Sequence, residues 1–216
     1  MDLESIDTVF DILEQEIPAW SLPSVSSIAL DRDPFTILIA TVLSLRTKDA
    51  TTLGAAKRLF SLASDPSGIA ELPIITIEKA IYPVGFYHTK AGNISRISRI
   101  IQEKYKGKVA SDIETLLELP GVGRKTANLV ITLGFNKEGI CVDTHVHRIT
   151  NRWGYLSTKN PYDTEMELRE KLPKKYWTKI NDFLVVYGQN ICRPVRPLCP
   201  QCRLYAYCDR VGVKEK

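Results

Sequence analysis

The chain has 216 residues, 44% of them hydrophobic and 25% charged, which suits one large globular domain or two small ones with ample material for a core. Lys and Arg number 29 against 25 Asp and Glu, a net charge of +4, so a polyanionic partner is permitted but not required. No apolar run reaches 18 residues, which argues against a membrane-spanning helix and any membrane partner. The acidic, amphipathic start MDLESIDTVFDILEQ lacks the basic head and apolar middle of a secretory signal, and an intracellular, cytoplasmic protein is expected.

Helical periodicity dominates the chain. Val9, Ile12, Leu13 and Ile17 fall on one face of a first helix that Pro18 ends. Pro34 opens FTILIATVLSL, apolar all round and therefore a buried helix. DATTLGAAKRLFSLA follows, with Leu53, Ala56 and Phe60 in register, and then TIEKAIYPVGF, stopped by Pro83 and Gly85. Ile94, Ile97, Ile101 and Tyr105 stripe the next helix. Ser111 and Glu114 form a capping box for a helix running to Leu119, and Thr126 to Leu133 is helical again. Asn160 and Pro161 start a helix near YDTEMELREKL, and WTKINDFLVVYGQNIC is the last long one. Period-two alternation is confined to short stretches such as GICVD, and no fixed-period repeat is visible, so the fold class is all-α, with about ten helices.

Between two of these helices lies LPGVGRKTA, residues 119 to 127. Glycines allow a tight turn and close approach, and the following helix starts with unpaired N–H groups and a partial positive charge. With Arg124 and Lys125 beside it, that end suits a nucleic-acid phosphate, so the segment reads as a helix-hairpin-helix DNA-binding element and not as a bare corner. An amine is nucleophilic only when neutral, and Lys125, beside an arginine at a helix entrance, is read as the candidate nucleophile. Asp143, in CVDTH, is placed to cap a helix over 144 to 152, which would also hold its carboxylate rigid. His145 and His147, two apart on that helix, point in different directions and are read as hydrogen-bonding or phosphate-contacting groups, not metal ligands.

Cys141 stands alone, whereas Cys192, Cys199, Cys202 and Cys208 crowd into the tail. In a reducing compartment such a group is more often a metal site than a disulfide framework, and the tail is too poor in apolar residues to hold a core without its metal. Both a four-cysteine zinc site and a cubane cluster use four thiolates, and spacing alone leaves the two open. Arg193, Arg196 and Arg203 project from the same loop as a second phosphate patch or as solvated charge.

Three motifs in order, LPGVGRKTA, VDTHVHR at 142 to 148 and the terminal Cys-x6-Cys-x2-Cys-x5-Cys, make the chain resemble the endonuclease III family, the iron–sulfur base-excision DNA glycosylases. The similarity runs from PFTILIATVLSLRTKD to the tail. The resemblance implies two helical lobes: a helical barrel over 26–138 with the hairpin, and 1–25 plus 139–216 with a C-terminal iron–sulfur cluster loop. It implies that Lys125 is the Schiff-base lysine, that Asp143 is the catalytic carboxylate, the two meeting across a cleft, and that Cys192, Cys199, Cys202 and Cys208 hold a structural 4Fe-4S cluster. Arg46 stands where the family usually has glutamine, a departure that bears on opposite-base preference, and Phe86 matches an apolar wedge position. Gly121, Gly123, Arg124, His145, Arg193 and Arg196 complete the expected DNA contacts.

The implied function is a bifunctional DNA glycosylase and AP lyase that removes oxidised pyrimidines. Its expected partner is double-stranded DNA containing damaged bases or abasic sites, and no oligomerisation signature argues against a monomer. The rivals are a monofunctional mismatch glycosylase of the same superfamily, of which those that excise adenine generally lack this lysine and carry an extra C-terminal domain, and a non-catalytic DNA-binding module held by zinc.

Overall fold

The computed structural model describes residues 3–29 and 33–214. Met1 and Asp2, at the head of the acidic N-terminal stretch, and the last two residues of the tail lie outside them. Twelve α-helices and no strand occur among the described residues, and none of the helices is long and apolar enough to cross a membrane. The chain divides into two compact units, Ser24–Gly139 and the combination of Met1–Pro23 with Ile140–Lys216.

Ser24–Gly139 is organised on one helix. After α1 (Leu3–Glu16), which belongs to the other unit, α2 (Ser24–Ile28) leads to α3 (Pro34–Ser44). Asp33 caps α3 by accepting the Thr36 N–H at 2.8 Å, and Pro34 supplies the fixed φ of a first helical residue. Ile37, Leu38, Ile39, Ala40, Val42 and Leu43 are all 0 or 1% exposed, as an all-apolar helix requires. Against it pack α2, α4 (Asp49–Leu62), α7 (Tyr87–Tyr105) and α9 (Arg124–Leu129), while α5 (Pro66–Glu71) and α6 (Ile74–Ile81) lie on α7.

Several boundaries differ from the sequence reading. The buried face of α4 is Thr52, Ala55, Ala56 and Leu59, whereas Leu53 is 40% exposed; small side chains let α4 come close, and the stripe sits one residue away from the largest apolar groups. The helix expected over 111 to 119 is α8 (Ile113–Leu117), because Asp112, not Ser111, accepts the Thr115 N–H at 2.8 Å. Ser111 instead takes the Lys137 ammonium on its carbonyl and its hydroxyl, both at 2.8 Å. The helix that begins at Arg124 changes winding at Val130–Gly134, a π turn. GICVD forms no strand: it is an extended connection with Ile140, Cys141 and Val142 buried, so its alternation marks burial on both sides.

In the other unit, α1, α10 (Thr144–Arg152), α11 (Pro161–Lys171) and α12 (Ile180–Asn190) enclose a core of Phe10, Leu13, Val146, Ile149, Trp153 and Tyr187. Asn160 caps α11 through the Asp163 N–H at 3.0 Å. The Phe10 ring stacks on Tyr176 with centroids 3.8 Å apart, and Tyr176 donates its hydroxyl to Asp7 at 2.8 Å, so α1 is fastened by an aromatic pair and a polar clasp. Because Phe10 is fully buried, Phe10→Ala should lower the unfolding free energy by ~3–5 kcal/mol, measured by urea denaturation.

Candidate active site and nucleic-acid interface

The glycine turn joins α8 to α9. Gly121 has φ +76°, the left-handed region that favours glycine, and its bare Cα lets the Asn93 side chain of α7 come close. Gly123 is different. Its φ is −105°, and nothing lies within 4 Å of where its Cβ would be. As the N-cap of α9 it offers no side chain to the N–H groups that follow, and it leaves that end open. Arg124 and Lys125, both half-buried, are the first two residues of α9.

Arg46 and Phe86 come together. Each has a left-handed backbone, φ +52° and φ +59°, and each is exposed, Phe86 to 64%. The Arg46 guanidinium lies over the Phe86 ring, 5.7 Å from its centroid. Phe86 is the N-cap residue of α7, and Arg46 sits just past the end of α3.

Asp143 is 9% exposed and caps α10: one carboxylate oxygen accepts the N–H groups of His145 at 2.8 Å and Val146 at 3.0 Å. The capping role expected from Asp-Thr is therefore real, and it fixes the carboxylate in place. His145 and His147 do point apart. The His145 ring pairs through Nδ1 with Arg148 at 3.0 Å and lies against Gly188, where any Cβ would strike it, whereas the His147 Nδ1 bonds the Thr164 hydroxyl at 2.7 Å.

Cys192, Cys199, Cys202 and Cys208 are free of disulfides and line one cavity with Trp153 and Tyr187. Three of the sulfurs have hydrogen-bond partners. The Tyr187 hydroxyl lies 3.2 Å from Cys202 Sγ, Arg210 N–H donates to Cys208 Sγ at 3.4 Å, and the Arg152 guanidinium donates to Cys192 Sγ at 3.5 Å. Burial pushes the Cys202 thiol up and the Cys208 thiol up to about 11, so thiolates there need a cationic centre beside them. Among the described residues, no group of three or more His, Cys, Asp or Glu side chains is gathered so as to hold a single metal ion. Cys141 is buried away from the other four, on the connection into α10.

Sequence reasoning missed what braces this loop. Arg152 donates to the carbonyls of Arg193 at 2.7 Å and Pro194 at 2.8 Å, and Arg148 donates to that of Cys192 at 2.9 Å. Two arginines four apart on α10 were the available signal. Beyond them Arg193 and Arg196 are exposed, Arg196 with φ +54°, while exposed Arg203 reaches Gln15 at 3.3 Å.

The sequence model of the HhH-GPD superfamily, base excision DNA repair proteins, matches residues 39–175. The chain is 46% identical over 179 residues to a protein named Endonuclease III from Thermotoga maritima, an alignment that covers 83% of this chain and 84% of that one. The chain belongs to the endonuclease III family. Its fold agrees with that of solved members. A non-covalent Endonuclease III–DNA complex superposes with a TM-score of 0.87 at 32% identity, covering 97% of this chain and 96% of that one. A trapped Endonuclease III–DNA covalent intermediate, described as an estranged-adenine complex, gives 0.86 at 32% identity, with 97% of each chain covered.

The cap can be separated from the charge at Asp143. Asp143→Ala should cost ~1 kcal/mol of stability, whereas Asp143→Asn, an equally good cap, should stay within about 0.5 kcal/mol of the parent in thermal unfolding.

Proposed function

We infer that this chain is a bifunctional DNA glycosylase and AP lyase of base excision repair, with Lys125 as nucleophile and oxidised pyrimidines in double-stranded DNA as substrate. The observation that carries this reading is a lysine at the second position of the helix that leaves the glycine turn, in a family with a trapped covalent DNA complex. The Lys125 amine attacks C1′ of the damaged nucleotide, and the base departs with the glycosidic electron pair. The C1′–N bond to lysine becomes a Schiff base as the sugar ring opens. Loss of a C2′ proton then expels the 3′ phosphate, the β-elimination that nicks the strand.

Asp143 supplies a fixed negative charge for the positive charge that develops on the sugar, and it relays protons during lysine addition. Its carboxylate is held by two backbone N–H groups, so it meets the developing charge without reorganising. Gly121, Gly123 and Arg124 approach the phosphate backbone at the open end of α9, and His145, Arg193 and Arg196 are further DNA contacts. Arg46 and Phe86 enter the base stack when the nucleotide is flipped out, a step that costs a few kcal/mol of unstacking. The aromatic ring stacks on exposed bases, and the guanidinium hydrogen-bonds the orphaned partner base.

Cys192, Cys199, Cys202 and Cys208 would hold a 4Fe-4S cluster. A cavity walled by four thiols fits a cluster whose sulfur ligands attach to the corners of its body, and the donors aimed at three of the sulfurs suit ligated thiolates. The cluster would supply a cross-link among four thiolates, a structural role that leaves no open position for water.

Borohydride reduction in the presence of damaged duplex should trap a covalent adduct that Lys125→Gln abolishes while duplex binding persists; trapping by the variant would place the nucleophile elsewhere, and base release without trapping would favour a monofunctional enzyme. The purified protein should be brown, with about four irons per chain by elemental analysis. Stoichiometric zinc in a colourless sample would refute the cluster.

A further inference from the structure

Lys90 is the one lysine on the buried stripe of α7, 6% exposed, and no carboxylate accepts from it among its described bonds. Its ammonium donates to the carbonyl of Leu43 at 2.8 Å, to the carbonyl of Leu45 and to the Thr47 hydroxyl at 3.1 Å, which uses all three of its donors. These acceptors flank Arg46 on both sides. The Thr47 hydroxyl lies 3.2 Å from the Leu45 carbonyl and accepts the Gly85 N–H at 3.2 Å. Gly85 lies flat on the loop: a Cβ on it would stand 2.8 Å from the Arg46 carbonyl oxygen. Lys90 in turn takes the Phe86 carbonyl with its own N–H at 3.0 Å. One side chain thus ties the loop 45–47 to the entrance of α7. Burial pushes its ammonium down to about 8, which still leaves it mostly charged at neutral pH.

We propose that Lys90 is a positioning residue for base opening: it locks the loop that carries Arg46 to the helix entrance that carries Phe86, so the two side chains enter the duplex as one unit. The proposal rests on the stack-entering role given above to Arg46 and Phe86. Both side chains have left-handed backbones, a conformation that persists only where surrounding contacts over-determine it. The three bonds from Lys90 and the flat face of Gly85 supply those contacts. Without the ammonium, the carbonyls at the end of α3 lose their donors, the loop relaxes, and the Arg46–Phe86 pair spreads. Phe86 is far from the chemistry assigned to Lys125 in sequence, yet a displacement of about 1 Å in a positioning group can cost on the order of 100-fold in rate.

The test uses the full-length protein and two readouts. One is the ratio of AP-lyase rates on an abasic site in duplex and in single-stranded DNA; the other is the fluorescence of 2-aminopurine placed opposite the abasic site, which brightens when its stacking is broken. Lys90→Met should lower the duplex-to-single-strand ratio by roughly tenfold or more and remove most of the brightening at saturating protein. Thr47→Val, which deletes the shared hydroxyl but keeps the lysine, should shift both readouts in the same direction and serves if the methionine variant does not fold. Phe86→Ala is the reference. If it lowers the ratio and the brightening while Lys90→Met and Thr47→Val do not, Lys90 has no positioning role. If Phe86→Ala itself moves neither, the stack-entering role is wrong and the proposal falls with it. A loss of thermal stability in Lys90→Met with equal slowing on both DNA forms would mark a purely structural lysine and overturn the proposal.

Discussion

A helix that is apolar on every face must end somewhere inside the unit it organises, and its last carbonyls must then find donors away from water. That constraint governs Ser24–Gly139. Helix α3 is enclosed by four neighbours, and its C-terminal carbonyls are met by a lysine from α7, by the Thr47 N–H on Ser44 at 3.1 Å and by the Ser44 hydroxyl on Thr41 at 2.8 Å. The cation also sits at the negative end of the helix dipole, where it is favoured. Satisfying the buried helix therefore fixes the shape of the loop that follows it, and that loop carries Arg46.

The other unit solves a different problem with α10. Asp143 closes the N-terminal end of this helix, and Arg148 and Arg152 on its outer turns hold the carbonyls at the start of the cysteine loop. One rigid element thus spans from the carboxylate given a catalytic role to the loop that would wrap a cluster. Arginine suits the second task because its planar fork reaches two carbonyls at once and keeps its charge when half-buried. The loop has few apolar residues of its own; Leu204 is its one fully buried anchor in the core.

Much of this was legible in the sequence because the signals were local. Caps such as Asn160 and Asp143, the all-apolar run after Pro34 and the glycine turn before Arg124 each act within a few residues, and the described helices begin where they point. What escaped was non-local or a matter of degree. Asp112 outcompeted Ser111 as a cap because Ser111 is engaged by Lys137, 26 residues away. The stripe of α4 slipped because close packing selected alanines and a threonine over Leu53 and Phe60. Lys90 sits four residues before Ile94 and seven before Ile97, on the apolar face; a charged residue in that register was a visible anomaly, but its three oxygen partners lie more than 40 residues away. The pairing of Arg46 with Phe86, 40 positions apart, is made by the fold and has no local pattern.

The π turn at Val130–Gly134 has a consequence for how this chain tolerates insertion and loss. A π turn holds about one residue more than an α turn, so it takes up an extra residue without changing the phase of the helix on either side. Deleting a single residue there should restore ordinary winding and leave Lys125, at the second position of α9, on the same face. A deletion within Arg124–Leu129 meets no such slack and would turn the residues before it by about 100°. The helix that carries the amine thus has one spare residue, stored at its far end.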